Sequence, residues 1–294
     1  MDLGDGFGLQ PLAGGFSGET FLGEAAGERT VVRLYVDRGA RRGPAAPEVD
    51  AAVLRLVRGL LPVPEVLEIR RADEQHGTPG LLVTSFLPGE RLDAALPTLA
   101  EETRRAVGRN LGVLLGRMAQ MPMPRFGVFV DGDLTIEPWS PYDLSDELGP
   151  GLEAVAEGAQ ALLDEVDRVC LVHSDVNPKN VLVDPATGEV TGLLDWEFAH
   201  AGHPATDLGN LLRFDRDPVF VDAVLDGYLE VAGHLDGLAG LDTKHAKQKL
   251  LDRARAADLP ALADLASRKG ENPVADRAAE RLRAIVRTRN LHAE

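Results

Sequence analysis

Cysteine is almost absent from the sequence: Cys170 is the only one among 294 residues, so an intramolecular disulfide is impossible. Long apolar runs are missing too, and no stretch approaches the length of a membrane-crossing helix. Positive charge is scarce, because 31 lysines and arginines stand against 47 aspartates and glutamates, which gives a net charge of −16. Nucleic-acid binding needs basic surface, so this balance argues against a nucleic-acid partner. It fits a cationic partner better, although acidic surface also simply keeps a protein soluble.

The first residues, Met1 to Asp5, are acidic and lack the charged and then apolar pattern of a signal peptide. We therefore expect a cytoplasmic protein with no membrane partner. Hydrophobic residues make up 44% of the chain, which is enough to bury one or two sizeable cores.

The chain between residues 181 and 194 has the pattern of a β-hairpin. Two short apolar runs, 181–183 and 190–194, flank the turn-forming segment 184–189. Antiparallel pairing centred on that turn is expected to set Asn180 opposite Asp195.

Three side chains near one end of this hairpin suit phosphoryl transfer. The amide oxygen of Asn180 and the carboxylate of Asp195 are hard oxygen ligands of the kind that Mg²⁺ prefers. Asp175, one tight loop upstream, is placed to accept a proton from an attacking hydroxyl. Each residue alone has a structural explanation as a turn cap or strand end, but their order and spacing together favour the chemical one.

The order His-x-Asp-x-x-x-x-Asn from His173 to Asn180, followed by Asp195-Trp196-Glu197, resembles aminoglycoside phosphotransferases and choline kinases more closely than protein kinases. The resemblance implies an α+β, two-lobed protein-kinase-like fold. It places a small β-rich nucleotide-binding lobe at residues 1–89, with the hinge at its end, and a larger, mainly helical catalytic lobe at residues 90–294. Ser174 departs from the family, which usually has glycine there.

A glycine-rich loop lies between apolar segments near the start of the chain. Missing side chains in such a loop let backbone amides approach phosphates, and the resemblance assigns this contact to Gly15, Ser17 and Gly18. A plain hairpin turn has a similar composition, so the motif is weak by itself.

Residues 30–36 are rich in β-branched side chains and predict a strand. Kinases carry a phosphate-binding lysine on this strand, yet no lysine precedes Lys179, so Arg33 is expected to take the role through its bidentate fork. The alternative is an exposed strand arginine. A helix is predicted after Pro47, where Glu48 is by resemblance the acidic partner of Arg33; the helix dipole alone also explains an acid there.

By resemblance, the Ser85 carbonyl and the Leu87 amide at the hinge face the adenine edge. Asp207 either braces the catalytic loop, as in the family, or caps a helix. An acidic cluster ahead of the loop, Asp143, Asp146 and Glu147, either meets substrate ammonium groups or is simply solvated.

The sequence therefore predicts a phosphotransferase that uses Mg²⁺ and ATP, with GTP left open, to phosphorylate a hydroxyl of a small molecule. A cationic antibiotic such as an aminoglycoside or basic peptide is the favoured acceptor, which would make the protein a resistance enzyme. One alternative is a metabolic kinase for choline, an amino acid or a sugar. Another is a nucleotide-binding regulator without catalysis, which retention of Asp175, Asn180 and Asp195 argues against. A protein kinase is disfavoured because the chain has no room for an activation segment. The oligomeric state is left open.

Overall fold

The computed structural model describes residues 8–12, 20–25, 27–36, 42–73, 75–138, 150–214, 217–235 and 237–293. In this part of the chain, an antiparallel sheet with one helix comes first and a mainly helical region follows. The secondary structure is mixed, as the α+β prediction requires.

The first sheet has five strands in the order β1-β2-β3-β5-β4, all antiparallel to their neighbours: β1 is Gly8–Pro11, β2 Thr20–Ala25, β3 Glu28–Tyr35, β4 Val66–Arg70 and β5 Gly80–Ser85. Strand β3 confirms the predicted strand, but it begins two residues earlier, at Glu28, and ends one residue earlier, at Tyr35. It lies in the middle of the sheet, where Arg33 stands opposite Thr20 on one side and Leu82 on the other. The arginine is therefore on the most constrained strand of this sheet.

Helix α1, Ala46–Val57, follows β3 and packs against the sheet through a buried stripe. The predicted helix is confirmed. Apolar residues at helical spacing continue in the sequence as far as Leu60, but the helix ends at Val57 and Leu60 is exposed. Glu48 falls in the first turn, next to Pro47, whose missing amide leaves no helical hydrogen bond unmade.

Seven short strands complete the sheets in the described part of the chain. They are β6 Glu90–Arg91, β7 Gly127–Phe129, β8 Ile136–Glu137, β9 Cys170–Val172, β10 Val181–Val183, β11 Val190–Leu193 and β12 His200–Gly202. They form two small sheets, ordered β11-β10-β6 and β8-β7-β12-β9. Strand β6 leaves the hinge and pairs directly with the catalytic hairpin. Gly89 makes this join possible, because it has a φ of 141° and any side chain there would overlap Thr191. The lobe boundary after residue 89 stays a prediction.

The hairpin of β10 and β11 is confirmed, but its predicted register was wrong by one residue. Val181 stands opposite Leu193, and the Leu194 amide donates to the Asn180 carbonyl at 2.8 Å. Asn180 is thus opposite Leu194, and Asp195 lies one residue further along. The register shifts between Leu182 and Val183, an irregularity that symmetric pairing about the turn could not anticipate.

Helices supply most of the remaining core. Two of them, Glu101–Ala119 and Pro218–Ala232, approach so closely that a side chain at Gly112 would overlap the Val224 carbonyl. Helix Glu101–Ala119 buries five apolar residues at helical spacing: Val107, Leu111, Leu114, Leu115 and Met118. The helices of this region are α2 Leu92–Ala95, α3 Glu101–Ala119, α4 Pro150–Leu163, α5 Thr206–Leu211, α6 Pro218–Ala232, α7 Thr243–Ser267 and α8 Pro273–Thr288.

Cys170 is buried in β9, among the apolar residues of the core. Among the described helices, none combines the length and apolar character that crossing a membrane requires.

His203 follows β12 in the buried interior and accepts a hydrogen bond at Nδ1 from the Ala205 amide, 3.1 Å away. Burial, reinforced by the charge of Arg253, lowers the pKa of His203 to about 4. In the unfolded chain His203 binds a proton near pH ~6.5, whereas in the folded protein it does so only near pH 4. The neutral, buried His203 therefore contributes its full stabilisation above the unfolded pKa, and this contribution is lost as the pH falls from about 6.5 to about 4.

We expect His203 alone to lower the free energy of unfolding by about 2–3 kcal/mol as the pH falls from about 6.5 to about 4. His203→Asn keeps an acceptor for the Ala205 amide but does not titrate, so its stability should fall less over the same window. Urea unfolding of both proteins across this range measures the difference. Parallel stability curves would contradict the assignment.

Candidate active site

Asp175 lies in the loop after β9, and two amide side chains fix its carboxylate. Asn177 Nδ2 donates to Oδ1 at 2.6 Å, and Asn180 Nδ2 donates to Oδ2 at 2.7 Å. Asn177 also caps the short 3₁₀ turn Pro178–Asn180 by accepting from the Lys179 amide at 3.2 Å. The local sequence therefore sets the direction in which Asp175 points. Sequence reasoning missed Asn177, although its two-residue spacing from an aspartate in a loop is a recognisable signal.

The electrostatic setting of Asp175 suits a group that accepts a proton. Burial raises the pKa of Asp175, the charge of Lys179 opposes this, and the nearby carboxylate of Asp195 adds to it. Lys179 Nζ lies 4.0 Å from Asp175 Oδ2. A carboxylate with a raised pKa is a better proton acceptor than one in water.

Asn180 and Asp195 offer oxygen donors that fit Mg²⁺. The Nδ2 group of Asn180 donates to both Asp175 Oδ2 and the Asp175 carbonyl (2.9 Å), which leaves the amide oxygen Oδ1 for another partner. Asp195 follows β11 with a φ of 62°, and its side chain is 36% exposed. An amide oxygen and an accessible carboxylate are the donors that this ion prefers.

His173 ties the catalytic loop to the segment that carries Asp195. The Leu194 carbonyl, 2.9 Å away, only accepts, so Nε2 carries the proton; Nδ1 then accepts from the Asp175 amide at 3.2 Å. Burial lowers the pKa of His173, which favours this neutral form. The ring packs at 4.4 Å from the Trp196 ring. His173 thus holds the loop by hydrogen bonds.

Asp207, in helix α5, braces the same loop through hydrogen bonds to its backbone. Its buried carboxylate accepts from the His173 amide at 2.9 Å and from the Ser174 amide at 2.7 Å. It is the second residue of helix α5, and Ala205 occupies the capping position. Of the two interpretations left open by the sequence, the structure therefore favours the brace.

Ser174 adopts a φ of 65°, in the left-handed region where glycine is favoured. This conformation explains why glycine is usual in the family at this position. A non-glycine residue there is strained by roughly 1–2 kcal/mol.

We expect Ser174→Gly to stabilise the protein by about 0.5–1 kcal/mol, since relief of strain exceeds the added flexibility of the unfolded chain. Denaturant unfolding measures the change. Ser174→Ala is the matched control, because it removes the hydroxyl and keeps the strain. Equal stability of the glycine and alanine variants would show that the backbone conformation is not the cause.

Arg33 reaches from β3 to the segment after β11. Its Nη1 donates to Asp195 Oδ1 at 2.9 Å, and its Nη2 donates to Glu197 Oε2 at 2.5 Å. Burial alone would lower the pKa of Arg33, but Asp195 and Glu197 outweigh it, so the pKa is raised and the guanidinium stays charged. The exposed-strand alternative does not hold, because the side chain is only 15% exposed.

The expected pair of Arg33 and Glu48 is not formed, so this prediction was wrong. Glu48 accepts a hydrogen bond from Arg71 instead. Helix α1 presents a different acid to β3: Asp50 is buried and accepts from the Tyr35 hydroxyl at 2.6 Å and from both terminal nitrogens of Arg42. Asp50 could have been found, because it occupies the apolar stripe of the helix, where an unpaired charge is costly.

The hinge residues Ser85 and Leu87 lie where β5 ends. The Ser85 amide donates to the Glu65 carbonyl at 2.8 Å, and its hydroxyl accepts from the Glu65 amide at 2.9 Å. The Leu87 side chain packs beside Gly192 of β11. These contacts join the hinge to Glu65, just ahead of β4, and to β11 of the catalytic hairpin. The contact of the hinge with adenine stays a prediction.

Six residues singled out in the sequence lie outside the described residues: Gly15, Ser17 and Gly18 of the glycine-rich loop, and Asp143, Asp146 and Glu147 of the acidic cluster.

Solved structures share this architecture at low sequence identity. A thermostable mutant of an aminoglycoside phosphotransferase, in ternary complex with AMP-PNP and hygromycin B, has a TM-score of 0.62 at 19% identity and covers 95% of this chain and 93% of its own. The microcompartment-associated aminopropanol kinase also has a TM-score of 0.62 at 19% identity, covering 99% of this chain and 96% of its own. The fold is therefore the two-lobed, kinase-like α+β fold that the sequence predicted.

Sequence comparisons identify the family within that fold. The model of the phosphotransferase enzyme family matches residues 8–242, so the chain belongs to this family of enzymes, which phosphorylate hydroxyl groups of small molecules. Aminoglycoside 3'-phosphotransferase of Streptomyces fradiae is 30% identical over 220 residues, 66% of this chain and 78% of that protein. Acyl-CoA dehydrogenase family member 10 of Mus musculus is 28% identical over 197 residues, 61% of this chain. The match covers only 18% of the length of that longer protein.

Proposed function

We propose that the protein transfers the terminal phosphoryl group of ATP to a hydroxyl of a small cationic molecule. The observation that carries this proposal is the arrangement around Asp175: two amides aim its carboxylate, and one of them, Asn180, keeps its own oxygen for a metal ion beside Asp195. These are the parts that phosphoryl transfer needs, a proton acceptor next to a site for the charged nucleotide.

In the proposed reaction, the acceptor oxygen forms a bond to the terminal phosphorus as the bridging oxygen bond breaks, and ADP leaves. The carboxylate of Asp175 orients the hydroxyl and takes its proton. Arg33 binds phosphate oxygens of the nucleotide with its guanidinium. Asn180 and Asp195 would hold Mg²⁺, which when bound neutralises charge on the phosphates. His173 and Asp207 keep the loop in the geometry that these steps require.

Two observations support a cationic antibiotic as the acceptor. The net charge of −16 attracts cations, and the Streptomyces relative is an aminoglycoside phosphotransferase. Resistance to such an antibiotic would follow from its phosphorylation. The second candidate is a metabolic kinase for a small alcohol, which the structural likeness to an aminopropanol kinase favours.

A mass-spectrometric screen tests the proposal and separates the two candidates. The protein is incubated with MgATP or MgGTP and with panels of aminoglycosides, basic peptides, amino alcohols, amino acids and sugars. Addition of one phosphoryl group to an aminoglycoside or basic peptide supports the first candidate, and addition to a small alcohol, amino acid or sugar supports the second. No transfer to any acceptor, with nucleotide binding intact, would support the regulator without catalysis.

Salt dependence gives a further test of acceptor charge. Attraction between a polyamine-like acceptor and carboxylates is screened by salt, whereas the chemical step in the cleft is much less affected. Raising ionic strength at fixed MgATP should therefore increase the acceptor KM more than it lowers kcat. An acceptor KM that stays flat would exclude the cationic acceptor and leave the phosphotransferase proposal intact.

A further inference from the structure

We propose that Glu197, and not Glu48 of helix α1, is the carboxylate that positions Arg33, so that the phosphate-binding cation is anchored to the metal-binding segment. Glu197 is then a positioning residue, which acts through Arg33. The inference rests on the proposed role of Arg33 in nucleotide binding.

The geometry of the guanidinium carries the first step. The two terminal nitrogens of Arg33 have different partners: Nη1 contacts Asp195 and Nη2 contacts Glu197. The two acids differ in accessibility, because the Glu197 side chain is 4% exposed and that of Asp195 is 36% exposed. Asp195 can therefore exchange Arg33 for a ligand from the cleft, while Glu197 stays buried against it.

This arrangement gives a physical reason for arginine in place of the usual lysine. Asp195 and Glu197 lie two residues apart in the segment after β11, and both carboxylates contact the guanidinium of Arg33. A planar fork can contact both carboxylates at once, whereas an ammonium is a single point charge. When Asp195 turns to a metal ion, the second arm of the fork still holds Arg33 in place.

Helix α1 has its own partners. Glu48 contacts Arg71, and the helix residue that faces β3, Asp50, is held by Tyr35 and Arg42. Glu48 still has one buried oxygen, Oε2, without a hydrogen-bond partner among the described residues. Glu48 is therefore the rival carboxylate that the experiment must compare with Glu197.

The test is a double-mutant cycle on the affinity for ADP, measured by calorimetry with and without Mg²⁺. We expect Glu197→Gln to weaken ADP binding about tenfold under both conditions, since Arg33 loses its buried anchor. In an Arg33→Ala background the same substitution should cause almost no further loss. Glu48→Gln should have a much smaller effect. Glu230→Gln, which alters an exposed pair with Arg109, is the matched control for a lost glutamate charge.

Each contrary outcome has a distinct meaning. A loss that occurs only with Mg²⁺ would make Glu197 a metal ligand and overturn the proposal. Additive losses in the Glu197→Gln, Arg33→Ala double variant would overturn it too, as would coupling of Arg33 to Glu48 instead. Unchanged ADP affinity in Arg33→Ala alone would remove the nucleotide role of Arg33, a failure of the proposed function that is visible before Glu197 is tested.

A second variant keeps the test decisive if Glu197→Gln does not fold. Glu197→Asp keeps the charge but shortens the side chain by one methylene. We therefore expect a smaller loss of ADP affinity, coupled to Arg33 in the same way. Thermal unfolding of each variant establishes that it is folded. Wild-type ADP affinity in a folded Glu197→Asp variant, with Glu48→Gln impaired, would assign the anchor to helix α1.

Discussion

Asp175→Asn is expected to lower kcat by about 10²- to 10⁴-fold while leaving the affinity for MgATP nearly unchanged. The change removes the carboxylate that the side-chain amides of Asn177 and Asn180 hold in place as the proton acceptor. It leaves the contact between Arg33 and Asp195 in place. Steady-state rates at saturating acceptor measure the chemical effect, and calorimetry measures nucleotide affinity. A variant with near wild-type kcat would refute the role of Asp175.

The control for this prediction comes from the hairpin that follows the catalytic loop. Asp184→Asn makes the same chemical change at an exposed turn, where the carboxylate accepts from the Ala186 amide at 2.8 Å. It should leave kcat unchanged. Asn177→Ala removes one of the two amides that aim Asp175, and we expect an intermediate loss of about tenfold, since the second amide remains. A large fall in nucleotide affinity in Asp175→Asn would instead indicate that the whole loop had collapsed.

The catalytic loop was predictable from sequence because its parts are close in the chain. His173, Asp175 and Asn180 lie within eight positions, and the hairpin that follows has clear strand and turn signals. Local order therefore fixed which groups meet. The exact register did not follow from that order. The pairing of Val183 with Val190 next to the turn would set Asn180 opposite Leu193, and the irregularity between Leu182 and Val183 shifts its partner to Leu194, one residue short of Asp195.

The partners of Arg33 could not be predicted in the same way. Arg33 and Glu197 are 164 residues apart in the chain, and no spacing rule connects them. Glu48 has a suitable place in the first turn of helix α1, but Arg71, 23 residues later, takes its carboxylate. Tertiary packing decides such pairs, and resemblance to a family supplied the wrong acid.

Asp50 shows the opposite case, a signal that was present and was not used. It stands between Ala46 and Val53 on the buried stripe of helix α1, where every neighbour is apolar. A charge on such a stripe requires a buried partner. The partners, Tyr35 and Arg42, come from segments just ahead of the helix.

The second large effect is expected for Asp207→Asn, which should reduce the free energy of unfolding by about 2–4 kcal/mol and lower kcat. Both carboxylate oxygens of Asp207 accept from backbone amides, those of His173 and Ser174. An asparagine can accept only one of these bonds, and its amide group would point a donor at the other donor. The site is buried, so water cannot satisfy the amide that is left.

The kinetic consequence separates a brace from a helix cap. If Asp207 holds the loop, Asp207→Asn displaces Asp175 and lowers kcat, while the nucleotide KM changes less, because Arg33 comes from β3. A residue that only capped helix α5 would lose about 0.5–2 kcal/mol with no selective effect on kcat. Asp93→Asn, in an exposed pair with Arg91, is the matched control and should change stability by less than about 1 kcal/mol. Urea unfolding and steady-state kinetics on the three proteins decide the matter, and a stability loss without a loss of kcat would return Asp207 to a purely structural role.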